Sequence, residues 1–308
     1  TNEGINSVYS TIVDNYGELS VKGISDLYLV SRGSTIINSG TGTIDINAGI
    51  NSLWNSISNN SSGTININSG KIFYYDKYKW NNEVGIKNNT GTINIKDAAI
   101  YGVENNTGKI NILSSNSQVN HEINNKAGTV NIKAGTIHSV YNGAQGNLIM
   151  EDGKIKSGIK NYGNFQMSGG TISAENTALY LAGTSISNIN GGKIISPVNE
   201  SGRNIGEKGI DILDTSIANI KNASVTGFKN GISVSGTLNL GDKDDTDADG
   251  NIIVSKEKPI INISNVGIDV TSKGIFNFYD GKIIGTTAIS GKVNEIEDGY
   301  QIILERNE

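Results

Sequence analysis

Residues 91–95 read Gly-Thr-Ile-Asn-Ile, and this five-residue phrase, or a close variant, returns along the chain. It opens at Gly42 (GTIDI), Gly63 (GTINI), Gly108 (GKINI), Gly128 (GTVNI), Gly146 (GNLIM), Gly163 (GNFQM), Gly236 (GTLNL) and Gly274 (GIFNF). From Gly42 to Gly163 the successive starts are 21, 28, 17, 20, 18 and 17 residues apart. A period that short marks a solenoid, in which each repeat covers only its neighbours.

The cleanest unit, residues 146–162 (GNLIMEDGKIKSGIKNY), holds three short alternating runs around Leu148–Met150, Ile155 and Ile159. Alternation is a strand signal, and Gly or Asn at the junctions is expected to supply left-handed corners. Three strands and their corners fill the period, so the fold predicted is all-β: a single-stranded parallel β-helix (solenoid) of about twelve three-strand turns. Helical solenoids need longer repeats, and a leucine-rich signature is missing. Successive strand side chains point to opposite faces. The inward set is therefore Ile44/Ile46, Ile65/Ile67, Ile93/Ile95, Ile110/Ile112, Val130/Ile132, Leu148/Met150 and Phe165/Met167. Asp45, Asn66, Asn94, Asn111 and Asn131 face outward. With strands about 4.8 Å apart, such a stack would be a rod about 55–60 Å long. GELSV at Gly17 reads as an early turn, and TSISNINGGKI at Thr184 and TSIANIKNASV at Thr215 as one phrase used twice. The longer gaps after Gly183 and Gly236 imply inserted loops.

The organisation expected is one elongated domain over residues 1–308. It has irregular turns in 1–41, an acidic hairpin insertion in 236–258, and a last turn with its cap in 292–308. The 39 glycines suit a corner-rich fold, and a net charge of −5 with three arginines argues against a nucleic-acid surface. Without cysteine there is neither a disulfide scaffold nor a thiolate metal site. No run reaches membrane-spanning length, so no membrane insertion is expected in this segment. Abundant Asn, Ile and Lys hint at an AT-rich genome.

The phrases GTININSGKI (63–72), NNTGTINI (88–95) and SGGTISAENTALYLAG (168–183) resemble the β-helical regions of large surface proteins of low-GC Gram-positive bacteria. LNLGDKDDTDADGN (238–251) and the stretch 258–300, with GIFNFYDGKIIG and EDGY, are similar to that group's closing pattern. The resemblance covers nearly the whole chain. It implies a right-handed parallel β-helix akin to the pectate-lyase-like fold, extracellular and displayed at the cell surface. Attachment to the cell wall would run through regions outside this segment, making the chain part of a larger surface protein. The function it implies is adhesion to a host surface protein or glycan, or a rigid display stalk, without catalysis.

Within the residues, the densest candidate for ligand binding is KIFYYDKYKW (71–80), where Phe73, Tyr74, Tyr75, Tyr78 and Trp80 fall in the widest early gap. Aromatic faces stack on sugars and protein surfaces at little entropic cost, and Lys77 could reach an anionic group. Trp54 stands one turn earlier. In the competing reading Phe73 and one Tyr fill the interior and the rest cover a broad corner. GDKDDTDADGN (241–251) places Asp245, Asp247, Asp249 and Gly250 at the spacing that begins a calcium loop, so a structural calcium is one reading. Lys256 at the twelfth position favours the other, a solvated hairpin between LNL and NIIV with Asp-Gly as its turn. The outward Thr and Asn rows read as a structural ladder, and His121 and His138 as surface residues. No other cofactor is expected.

The alternative function is a polysaccharide lyase or glycoside hydrolase on the same fold. Hydrolysis needs paired carboxylates. The only adjacent aspartates, Asp244 and Asp245, sit in the acidic loop, and neither Arg32 nor Arg203 has acidic residues recurring at turn spacing.

Overall fold

A computed structural model describes residues 13–22, 34–52, 55–74, 84–246, 248–253, 256 and 258–296. Among them there is no helix; strands follow one another in parallel register as a β-solenoid. Two compact units divide the chain, residues 1–154 and 155–308.

In the first unit one turn consists of Thr92–Ile95, Ala98–Ile100 and Val103–Asn105, and the next begins at Lys109–Ile112. The repeated phrase forms the first strand of each turn. Its register is direct: Ile44 pairs with Ile65, Ile65 with Ile93, Ile93 with Ile110, Ile110 with Val130 and Val130 with Leu148. Two residues on, Ile46, Ile67, Ile95, Ile112, Ile132 and Met150 form the parallel column. All twelve are fully buried, as the alternation predicts. GELSV is indeed an early turn, since Leu19–Lys22 pairs with Thr43–Asn47. Outside, Asn66 donates to Asp45 (2.8 Å), Asn94 to Asn66 (2.8 Å), Asn111 to Asn94 (2.7 Å) and Asn131 to Asn111 (2.7 Å). The outward ladder read from the sequence is therefore present.

A second ladder lies inside. Asn15, Asn38, Asn59, Asn88, Asn105, Asn125 and Asn142 close the third strand of successive turns, and all but Asn15 are fully buried. Each Nδ2 donates to the Oδ1 of the next: Asn38 to Asn59 at 2.9 Å, Asn59 to Asn88 at 3.1 Å, Asn88 to Asn105 at 2.9 Å, Asn105 to Asn125 at 2.8 Å and Asn125 to Asn142 at 2.7 Å. We assign the Asn88 amide in the orientation that keeps this run unbroken; the swapped one trades the two asparagine bonds for bonds to Thr90 O and Lys109 N. The second amide hydrogen goes to the backbone of the following corner, as from Asn105 to Gly108 O (2.9 Å) and from Asn125 to Gly128 O (2.9 Å). The inner donors point toward later turns and the outer ones toward earlier turns, so the two columns of amide dipoles oppose each other.

This ladder corrects the reading of the corners. Asn does not supply left-handed corners: among the described residues the one non-glycine at positive φ is Asp214 (56°). Nor do Gly108 and Gly128 adopt positive φ. They are glycine because a Cβ there would fall on the Asn88 and Asn105 amides and on the Gly91 and Gly108 carbonyls of the preceding corner. Gly153 (φ 96°) does have the left-handed backbone expected of it.

In the second unit the first strands are Asn164–Met167, Ile186–Ile189, Ile217–Ile220, Thr237–Leu240, Ile275–Phe278 and Glu295–Ile296. The two TSI phrases pair residue for residue, Ile186 with Ile217 and Ile189 with Ile220. Here the inner corner is aliphatic: Asn161 pairs with Leu181, and Leu181, Ile212, Val234 and Val270 continue the column. The outer ladder recurs as Asn219 to Asn188 (2.8 Å), Asn239 to Asn219 (2.7 Å) and Asn277 to Asn239 (2.8 Å).

Replacing a buried ladder residue strands a donor above and an acceptor below, each costing about 1–3 kcal/mol. Asn105→Ala is therefore expected to lower stability by about 3 kcal/mol in urea titration, with Asn94→Ala, on the wet face, costing about 1 kcal/mol or less. Equal shifts would contradict the division into dry and wet ladders. Ile112→Ala, which empties part of a column packed above and below, is expected to cost about 2–5 kcal/mol.

Candidate functional site

The strand Thr64–Tyr74 carries the first and second strand positions of its turn in one run and leads into the aromatic stretch. In the second of these positions Ile72 points inward and is fully buried, and Phe73 is half-buried on the outer side. Phe73 is thus not the interior filler of the competing reading. Tyr74 ends the strand, in register with Ser52. Tyr75, Lys77, Tyr78, Trp80 and Trp54 lie outside the described residues.

One turn on from the strand Thr64–Tyr74 begins a column of rings that the repeat pattern does not announce. Tyr101 follows Ile100, whose partner is Ile72, so it stands one turn on from Phe73. The Tyr101 ring stacks on His121 (centroids 5.1 Å apart, planes 11° apart), and His121 stacks on His138 (6.4 Å, 20°). His121 reaches this position through a bulge: between Val119 and Glu122 the strand Gln118–Asn125 has one residue more than its partner. Both histidines are exposed, as expected. The signal was their place in consecutive turns, but the bulge that aligns them was hidden in an unbroken strand-like run. No group of three or more His, Cys, Asp or Glu gathers to hold a metal among the described residues.

The acidic segment does form an antiparallel hairpin: Asp245–Thr246 pairs with Ile252–Ile253, and Gly250 takes a left-handed backbone (φ 82°) in its turn. Its first arm is Asp245–Thr246 rather than LNL, because Leu238 and Leu240 are buried in the stack. Asp249 is exposed in the turn, and Asp247 lies outside the described residues. Around it, carboxylates are paired with lysines: Asp242 with Lys221 (2.7 Å), Asp280 with Lys258 (3.2 Å) and, elsewhere in the unit, Asp211 with Lys208 (3.0 Å).

The base of the hairpin is tied to the end of the described stack. Lys243 pairs with Glu295 while its Nζ lies 4.7 Å over the Tyr279 ring, and the Tyr279 hydroxyl donates to Glu295 (3.2 Å). Glu295 opens the strand Glu295–Ile296, which pairs with Ile275–Phe278. The hydrogen bond from Lys243, and then that from Tyr279, hold the Glu295 carboxyl below its ordinary range. In unit 2 as well, burial pushes the Tyr180 hydroxyl up, beside Tyr162.

No family model, curated protein or solved structure matches the chain.

A carboxyl depressed in the folded chain stabilises it above its unfolded value, and that contribution is lost as the pH falls through the folded value. Glu295→Gln should therefore melt below the parent at neutral pH and low salt. The gap should close on acidification through and below the carboxylate range, and shrink with added salt because the pair is exposed. A gap that persists in acid would mean that the Gln side chain disturbs packing and that the ion pair contributes nothing.

Proposed function

We propose that the chain is an extracellular bacterial surface module that adheres to a host protein or glycan and displays its binding face on a rigid, non-catalytic scaffold. The observation that carries this reading is the outward column of the Tyr101, His121 and His138 rings, which stands one turn on from the strand that enters KIFYYDKYKW in sequence. Rings held turn upon turn lose little entropy on contact, which is how aromatic side chains gain binding energy. The aromatic insertion, with Tyr75, Lys77, Tyr78 and Trp80, lies in sequence at the head of that column. Support for a display role comes from the stacking itself, since backbone and asparagine ladders leave few groups free to open locally. The resemblance to surface β-helices of low-GC Gram-positive bacteria supplies the location, with the chain as one part of a longer, wall-attached protein. Calcium at Asp245, Asp247 and Asp249, if bound, would brace the hairpin and take no part in recognition.

A glycan and host-protein array probed with the chain and with a Tyr78→Ala/Trp80→Ala variant tests the reading. Adhesion predicts at least one ligand whose signal the variant loses by about tenfold or more, the loss of two aromatic anchors. Binding undiminished in the variant would remove the insertion from the site. Release of new reducing ends or unsaturated sugars from a polysaccharide would replace adhesion with catalysis.

A further inference from the structure

The second unit carries an insertion that the ring column does not involve. Between the strands Lys193–Ile195 and Lys208–Ile212 the chain leaves the stack as a hairpin over residues 197–205. It is closed by an antiparallel bridge between Val198 and Asn204 and by Ile205 N donating to Pro197 O (3.0 Å). Asn199 organises its tip: its Oδ1 accepts from Ser201 N (3.1 Å), Ser201 Oγ (2.9 Å) and Arg203 N (2.9 Å), and its own N–H donates to Arg203 O (2.9 Å). Both backbone groups of Arg203 are thus fixed.

Beneath the hairpin lies an open groove of about 1060 Å³. Its floor includes Ile195, Thr226 and Asn262, which pair in register on three consecutive turns. Lys229 and Glu207 lie at its rim, paired with each other at 3.4 Å. Arg203 also lines the groove and, among the described residues, has no carboxylate partner within ion-pair distance. It is one of three arginines in a chain that otherwise uses lysine for its positive charge.

We propose that this groove binds a carboxylate-bearing oligosaccharide, with the Arg203 guanidinium taking the carboxylate. A guanidinium presents a planar fork that matches a carboxylate in two parallel bonds, which the lysines of this surface cannot do. The floor offers one outward side chain per turn at a spacing of about 4.8 Å, close to the advance of one pyranose along an extended glycan. Thr226 and Asn262 offer hydroxyl and amide groups to ring hydroxyls, and Ile195 offers an apolar patch to a ring's C–H face. An acidic peptide fits less well. Peptides that add to a sheet need a free strand edge, and here the floor strands are already paired on both sides. No lining residue of this groove belongs to the aromatic stretch 71–80, so its binding stands whether or not that stretch binds anything.

Calorimetric titration of the whole chain with a hyaluronan hexasaccharide, a galacturonate hexamer and sialyllactose, each beside its carboxyl methyl ester, tests the assignment. At least one free acid should bind. Its ester and the Arg203→Gln variant should each weaken binding by about tenfold or more, with Arg203→Lys between them and affinity falling as salt rises. Asn262→Ala, which leaves the hairpin untouched, should weaken the same acid, and Tyr78→Ala/Trp80→Ala should leave it unchanged. Absence of binding by all three acids overturns the proposal, as does equal binding by acid and ester or by the parent and Arg203→Gln. A hexaglutamate peptide binding as tightly as the best sugar would assign the groove to acidic peptides instead.

Discussion

The inward amide at the third corner is the constraint on which the first unit depends. A solenoid turn must bend its chain sharply three times, and each bend takes backbone groups out of strand pairing. At this corner one asparagine per turn solves the problem from inside: it bonds to its own corner's backbone and to the asparagine of the next turn. A buried amide with all its bonds made is tolerated, and one without them is costly. The column therefore works only if every turn supplies its member in the same place. That requirement fixes register between turns more tightly than isoleucine columns can, because an aliphatic stack tolerates small slips and a hydrogen-bonded one does not. It also fixes the opening glycine of the repeated phrase, whose missing side chain leaves room for the amide of the turn before.

The second unit fills the corresponding corner differently. Leu181, Ile212, Val234 and Val270 replace the amides, and the chain crosses from the third strand to the first by short turns such as Ser216 N to Leu213 O (3.1 Å). Burial of aliphatic groups takes over from hydrogen bonding, and the outward asparagine ladder remains. This unit also carries the hairpin at 197–205 and the acidic hairpin. Both leave from corners, where a detour does not break the pairing of the strands on either side.

Much of this was legible in the residues. The inward pairs followed from alternation alone, because a pleated strand gives each side chain one of two directions. The outward ladder followed from the same rule. The buried ladder did not: an asparagine beside glycine has the composition of a surface turn, and only the stacking of several turns shows that its amide faces inward. The ring column was hidden for a related reason. A one-residue bulge shifts His121 into line with Tyr101 and His138, and no periodicity marks it. The acidic hairpin was read correctly in kind but with its first arm too early, since LNL completes a repeat and belongs to the stack.

In the first unit the outward residues keep their spacing because the dry asparagine column holds the turns in register. Exchange of the side-chain amide protons, followed by NMR in a chain labelled at asparagine, tests that column most directly. If the ladder is closed and dry, the amides of Asn59, Asn88, Asn105 and Asn125 exchange as slowly as the backbone amides of the strand Lys109–Ile112, and those of Asn94 and Asn111 exchange faster. Exchange of the inner amides at the rate of free carboxamide would show that the corner is open to water and that the isoleucine columns hold the turns alone.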